Sequence, residues 1–373
     1  MKLPALLQFL YSFGFNLVYR TLPAFLATLS ASAVQISLVH TAYNGAGILK
    51  VPFGAAVDRL GKKRGILISF LAISLLAGVL SVATTIPQFI LLFFLLGLTA
   101  NVYYSSINAL VADRSRNKTA ALFRLESAYQ LGFVLGPLLG GALALRWGMA
   151  AAFWAWAILG AAGFLLSMCL PAGGEPAGKR GMLAFLRSQR GPLLLVLGIG
   201  GLFTGFIQSV LDLAIPLYAT SLGMDIAQVG MLFAGAAILT VVSMLLLGSR
   251  MDRWGERRSL AVMVLCMGLP FLFLPFARDL VSLAILAGIS SVGRAAGLNI
   301  ARAFIARRVG PAESATGMGA CDTLQYAGRV AGPLAAGAVI EILSFAALFW
   351  GVAAVALLGL AALAAFPWRG EHA

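Results

Sequence analysis

Twelve apolar stretches, at 4–28, 34–57, 66–84, 87–111, 119–143, 148–170, 193–219, 226–248, 259–276, 280–304, 314–340 and 344–366, run along the 373-residue chain. Each is close to the roughly 20 residues that a helix needs to cross a bilayer. The pattern predicts an all-α integral membrane protein with twelve transmembrane helices. Composition, 61% hydrophobic and 11% charged, excludes a soluble domain or a disordered chain. Residues 171–191, PAGGEPAGKRGMLAFLRSQRG, are rich in Gly and Pro at the start and basic throughout, which reads as a linker. The expected division is thus an N-terminal bundle over 1–170, the linker 171–191, and a C-terminal bundle over 192–373, two pseudo-symmetric six-helix bundles arranged as a parallel repeat.

Residues 124–141, RLESAYQLGFVLGPLLGG, come back 196 positions later, so that Gly132, Gly136, Pro137 and Gly140 correspond to Gly328, Gly332, Pro333 and Gly337. Glu126-Ser127 likewise returns as Asp322-Thr323. Glycine at every fourth position bares one helix face for close approach by a neighbouring backbone, which is how helices pack where lipid removes the hydrophobic drive. Proline after glycine removes a backbone donor and bends the helix. A carboxylate at membrane depth costs about 2.5 to 3.5 kcal/mol on the mildest scale, so Glu126 and Asp322 are expected to face a wet interior.

The charge of +14 has two readings, nucleic acid or cytoplasmic loops. There is no basic stripe interleaved with aromatics, which argues against nucleic acid. Nineteen Lys and Arg fall in loops on one side of the predicted spans and only Arg146 and Arg278 on the other. The basic side faces the cytoplasm, which places both termini and the linker there, in a multi-pass protein of the cytoplasmic (inner) membrane. Lys2, the first apolar run and Ala31-Ser32-Ala33 imitate a secretory signal. The run is longer than a signal core, and Gly14-Phe15, Pro23 and Thr28 are echoed by Gly205-Phe206, Pro216 and Thr220, so the first span is expected to stay. Cys169, Cys266 and Cys321 lie in apolar segments and give no disulfide framework, and His40 and His372 are too far apart for a histidine metal site. No cofactor is expected. Neither a G-x-S-x-G nor an H-E-x-x-H pattern occurs, which argues against an intramembrane enzyme. The absence of a sizeable soluble domain argues against a sensor.

After the second span comes Gly54-Ala-Ala-Val-Asp58-Arg59-Leu-Gly61-Lys62-Lys63-Arg64, and after the eighth Gly248-Ser-Arg-Met-Asp252-Arg253-Trp-Gly255-Glu256-Arg257-Arg258. The pair resembles the signature loop of the major facilitator superfamily, and the resemblance covers essentially the whole chain. It implies transport by alternating access, with Asp58 and Arg59 locking the cytoplasmic ends against the eleventh helix in the outward-open state. Gly54, Gly61, Lys62, Lys63, Gly248, Asp252, Arg253 and Gly255 would belong to the same conformational machinery, together with the Gly-Pro residues. The run from Gly132 also resembles the fifth-helix signature of exporters and antiporters of this superfamily, which implies efflux. The fourth span lacks the Arg-x-x-x-Gly pattern of many proton-coupled exporters; its nearest analogue is Arg294-Ala-Ala-Gly297 in the tenth.

Six basic residues fall inside spans: Arg20, Lys50, Arg124, Arg294, Arg302 and Arg329. Lys50, Arg124 and Arg302 lie near cytoplasmic ends, where they can snorkel. Arg20, Arg294 and Arg329 sit deeper. They either pair internally with Asp212 or Asp322, or meet an anionic or zwitterionic substrate with their planar donor forks. Asn16, Asn44, Asn101, Tyr103, Tyr104, Asn299, Gln325 and Tyr326 are candidate polar liners, or helix-to-helix hydrogen-bond partners. Glu126, Asp322 and Asp212 are the candidate proton-coupling groups, since a low-dielectric cavity raises a carboxyl pKa. The expected function is proton-coupled efflux of a small organic molecule, with protons and lipid as partners and a monomer as the working unit. The alternative is an importer or uniporter of a small organic anion.

Overall fold

The computed structural model describes residues 2–49, 61–114, 118–170, 196–251, 256–308 and 311–365. Among them there are helices and turns and no strand. Lipid offers backbone groups no partner, so each crossing segment must satisfy its own peptide bonds, and the helix does that within one segment.

In the first half the helices are α1 (Lys2–Tyr19), α2 (Leu22–Thr28), α3 (Ala33–Gly45), α4 (Lys62–Leu80), α5 (Ile86–Arg114), α6 (Lys118–Trp147) and α7 (Met149–Met168). In the second they are α8 (Thr204–Ser221), α9 (Ile226–Met251), α10 (Glu256–Phe273), α11 (Leu280–Arg308), α12 (Pro311–Ile342) and α13 (Phe345–Ala365). The first predicted span is split into α1 and α2, and the seventh begins with a π-helical turn at Gly198–Phe203 that runs into α8. With those two pairings the described residues hold the twelve helices that the apolar stretches predict. Nine of the described helices are long and apolar enough to cross a membrane.

Two compact units divide the fold. One holds Met1–Gly178 with Ala219–Ala234, the other Lys179–Tyr218 with Gly235–Ala373. The expected linker at 171–191 lies outside the described residues, as do Lys50, Gly54, Asp58, Arg59, Asp252, Arg253 and Gly255. In the first unit α1 packs against α6 and α7, α3 against α5, and α4 against α5 and α7. In the second, α10 packs against α11 and α13, and the π turn against α11 and α12.

The sequence repeat becomes a repeat of local structure. Ser32 Oγ accepts from Gln35 N at 3.3 Å while Gln35 Oε1 accepts from Ser32 N at 3.0 Å, a capping box that starts α3. Asp225 and Gln228 make the same reciprocal pair at 2.8 and 2.9 Å to start α9. The signature-loop glycine Gly61 has φ +85°, a backbone region that side-chain-bearing residues avoid, and it forms the turn into α4. Two residues on, Lys63 Nζ donates to the Met168 carbonyl at 2.7 Å, at the last turn of α7. Arg257, in the second signature loop, donates to the Ala364 carbonyl at 2.9 Å at the end of α13. Both cations sit where helix carbonyls lack intrahelical partners and the dipole is negative.

Candidate functional site

The glycine runs decide how the site helices approach. A Cβ on Gly132 would lie 2.5 Å from Phe13 N, one on Gly136 would lie 2.6 Å from Asn16 Cβ, and one on Gly140 would strike the Leu17 carbonyl. The bare side of α6 therefore receives the backbone of α1 itself, and Ser12 Oγ ties the two by donating to the Tyr129 carbonyl at 2.7 Å. In the second unit Gly328 and Gly332 meet Leu202, Phe206 and Ser209 in the same way, and Gly201 and Gly205 face the Cys321 and Gln325 carbonyls. Gly141 and Pro137 pack on Ile226, Ala227 and Gly230 at the start of α9.

Arg20 lies at the break between α1 and α2, where Thr21 Oγ1 returns to the Val18 carbonyl at 3.2 Å. It is 5% exposed, and its guanidinium lies 4.5 Å from the centroid of Phe133 and 4.9 Å from that of Phe233. Two aromatic faces thus clamp one planar cation. An aromatic cluster runs on from there: Phe133 lies 6.3 Å from Tyr129, Tyr129 6.3 Å from Tyr104, and Tyr104 5.0 Å edge-on to Tyr11, which stacks on Tyr103 at 4.2 Å.

The predicted polar liners divide by partner. Asn101 Nδ2 donates to the Ala46 carbonyl at 2.8 Å and Tyr103 Oη to Gln8 Oε1 at 3.0 Å, so both join separate helices. Asn16 bonds the Ser12 carbonyl and Asn44 the His40 carbonyl one turn back, and Asn44 also reaches the Tyr19 hydroxyl at 3.3 Å. Gln325 is buried, and Tyr326 carries Arg329 over its ring at 5.8 Å. Arg294 and Asp322 are half-buried. The Asn299 side chain lies outside the described set, and so does the surrounding of Gly248. Lys62 is buried at the start of α4. Gly332 and Pro333 are buried within α12.

Glu126 is exposed and accepts from Gln130 Nε2 at 2.9 Å. At 3.6 residues per turn it shares a side of α6 with Gln130, Phe133, Pro137 and Gly141. The exposed leucines Leu131, Leu135 and Leu138 lie on the opposite side. The lipid-compatible face is therefore the leucine face, and Glu126 is open on the face that carries Phe133 beneath Arg20.

In the second unit Asp212 is 3% exposed and its Oδ2 accepts from Gln208 Nε2 at 3.2 Å. Gln208, Gln130, Phe133 and Phe233 escaped the sequence reading. The Gln-x-x-x-Asp spacing within an apolar span is a signal that was present for Gln208; the two phenylalanines look like ordinary apolar residues and carried none. Among the described residues no group of three or more His, Cys, Asp and Glu could hold a metal ion.

Comparison with known proteins places this arrangement. The multidrug resistance protein MdtG of Klebsiella pneumoniae (strain 342) is 28% identical over 366 residues, covering 94% of this chain and 89% of that protein. MdtG of Escherichia coli (strain K12 / DH10B) is 29% identical over 262 residues, 67% of this chain and 64% of that one. The crystal structure of the nucleoside transporter NupG superposes with a TM-score of 0.80 at 15% identity, covering 98% of this chain and 99% of that one. The human organic anion transporter MFSD10 superposes with a TM-score of 0.72 at 21% identity, covering 97% and 98%. The sequence profile of the Major Facilitator Superfamily matches residues 5–190 and 197–373. A duplicated set of membrane helices, a paired signature loop and that match across both halves have one explanation: the chain belongs to the Major Facilitator Superfamily of membrane transporters.

Proposed function

We propose that this transporter exports a small organic molecule across the cytoplasmic membrane in exchange for protons. The observation that carries the reading is the position of Glu126, a carboxylate in a membrane-spanning helix, open on the face opposite the exposed leucines. It lies two helical turns, about 10 Å of rise, from the ring that packs under Arg20. A proton on Glu126 and a substrate near the aromatic cluster can then influence one another through the local field. Relatives named for multidrug resistance support the outward direction. In this reading the two six-helix halves, joined by the cytoplasmic segment 171–191, alternate about the site in a single chain, with both termini in the cytoplasm. Glu126, Asp322 and Asp212 handle protons, Arg20, Arg294 and Arg329 with the polar liners handle substrate, and the paired loops around Asp58 and Asp252 latch the gate.

The reading is tested in proteoliposomes by separating net transport from exchange. Glu126→Gln is expected to keep exchange of labelled substrate for unlabelled substrate while losing uphill transport driven by a pH gradient. Uphill transport at the wild-type rate in that variant removes Glu126 from coupling.

A second reading has its own support. Arg20 is buried deep in its unit, and the human organic anion transporter MFSD10 shares the fold. Movement of an organic anion that ignores the pH gradient would favour this uniport or import reading.

A further inference from the structure

Of the nine apolar spans among the described residues, Gly198–Ser221 is the most enclosed. Two polar side chains one turn apart lie inside it, Gln208 at 6% exposure and Asp212 at 3%. Gln208 Nε2 donates to Asp212 Oδ2 at 3.2 Å, and the carbonyl end of the amide is turned elsewhere. Gln208 Oε1 is buried and receives no hydrogen bond from the described residues. An acceptor stripped of water and left unmet is costly, and native structures keep few of them.

The backbone around this pair is also unusual. The six residues Gly198–Phe203 form a π-helical turn, and Thr204 Oγ1 bonds the Gly200 and Gly201 carbonyls at 2.7 and 2.8 Å. Such turns recur at functional sites because they displace the side chains that follow them. Gly200 turns towards Ala301 of α11, and Gly205 towards Gln325 of α12. Gln208 and Asp212 continue that side of the helix, towards the two elements that carry Arg294, Asp322, Tyr326 and Arg329.

We propose that Gln208 is a substrate-recognition residue, whose Oε1, aimed by Asp212, accepts a hydrogen bond from an N–H donor on the transported molecule, the favoured class being amphipathic amines. The acceptor lies inside an enclosed apolar span, which suits an N–H donor carried on an apolar body. The inference deepens the transport reading and rests on it.

The test is a methylation series that holds charge constant: phenethylammonium and its N-methyl, N,N-dimethyl and N,N,N-trimethyl derivatives. Binding to the full-length protein in nanodiscs is measured for wild type, Gln208→Leu and Gln208→Met. Loss of a hydrogen bond shows as a step at the last methyl, where the final N–H disappears, whereas crowding shows as a gradual decline. Wild type is expected to lose affinity about tenfold at that step, the equivalent of one hydrogen bond. The apolar variants are expected to bind all four compounds alike; size-exclusion chromatography identifies which of the two is folded, and either one suffices. A step that survives in the folded variant, or no step or no binding in wild type, overturns the proposal. Proton-driven transport of any other compound would in that case leave the transport reading standing, so the two failures are distinguishable.

Discussion

Lys63 and Arg257, 194 positions apart, perform one task in the two halves: each leaves its signature loop to cap the final helix of its own half, at 2.7 Å on Met168 and 2.9 Å on Ala364. A basic residue that the family resemblance assigns to a gate thus has a structural job within one unit. A cation at a helix C-terminus contributes about 0.3–1 kcal/mol when exposed. Lys63→Ala and Arg257→Ala are each expected to lower stability in nanodiscs by about that amount, with the double variant additive because the sites share no partner. Denaturant titration measures it.

The glycine stripe predicts opposite outcomes for one kind of substitution. Gly140→Ala places a methyl against the Leu17 carbonyl and is expected to cost about 1–3 kcal/mol, since overpacking against backbone cannot relax cheaply. Gly351→Ala in α13 meets nothing within 4 Å and is expected to be neutral, or stabilising by about 0.5–1 kcal/mol through backbone entropy. Melting temperatures of the two variants in the same detergent make the comparison.

The clamp on Arg20 predicts that charge alone is insufficient. Lysine keeps the charge but not the planar guanidinium that lies between two rings. Arg20→Lys and Phe133→Leu are each expected to weaken the clamp by about 0.5–2 kcal/mol. Paired with Phe133→Leu in a double-mutant cycle, Arg20→Lys should show a coupling energy in unfolding; strict additivity would mean that the ring and the cation are independent.

Outside the membrane, Asp279 precedes α11 and predicts an acid limb. The Ser282 hydroxyl donates to its carboxylate at 2.6 Å, and the backbone N–H groups of Ser282 and Val281 add 2.9 and 3.0 Å bonds. These bonds hold its pKa below the ordinary carboxylate value. With the folded pKa lowered, the stabilisation is fully present above the unfolded value of about 3.9 and is lost as pH falls through the folded pKa. Asp279→Asn keeps an acceptor for the cap but does not ionise, so its stability is expected to fall less than that of wild type below about pH 4. Thermal melts from pH 6 to pH 3 show the difference.

Length, hydropathy and the doubled Gly-Pro run were enough to read the helices, because a bilayer fixes span length and a four-residue glycine spacing fixes one bare face. The partner of that face, the α1 backbone at Ser12 to Leu17, could not be read, since spacing on one helix says nothing of its neighbour. Arg20 was legible as a deep cation. Its clamp was not: Phe133 and Phe233 are 113 and 213 positions away and resemble any lipid-facing residue. Asn101 and Tyr103 read either as cavity liners or as helix-to-helix partners, and only the fold supplies the partners, Ala46 and Gln8. For Gln208 the sequence offers only the spacing to Asp212, which helix packing also explains; the carbonyl without a donor is visible only in the fold.

The sharpest test of proton coupling is internal pH in proteoliposomes of the purified protein, recorded as organic anions, zwitterions and protonated amines are added in turn, with Glu126→Gln alongside. Proton-coupled transport through Glu126 requires that at least one compound drive proton movement in wild type and that the same compound drive none in Glu126→Gln. Proton movement of equal size in both, or labelled compounds that equilibrate while no compound moves protons, would contradict it.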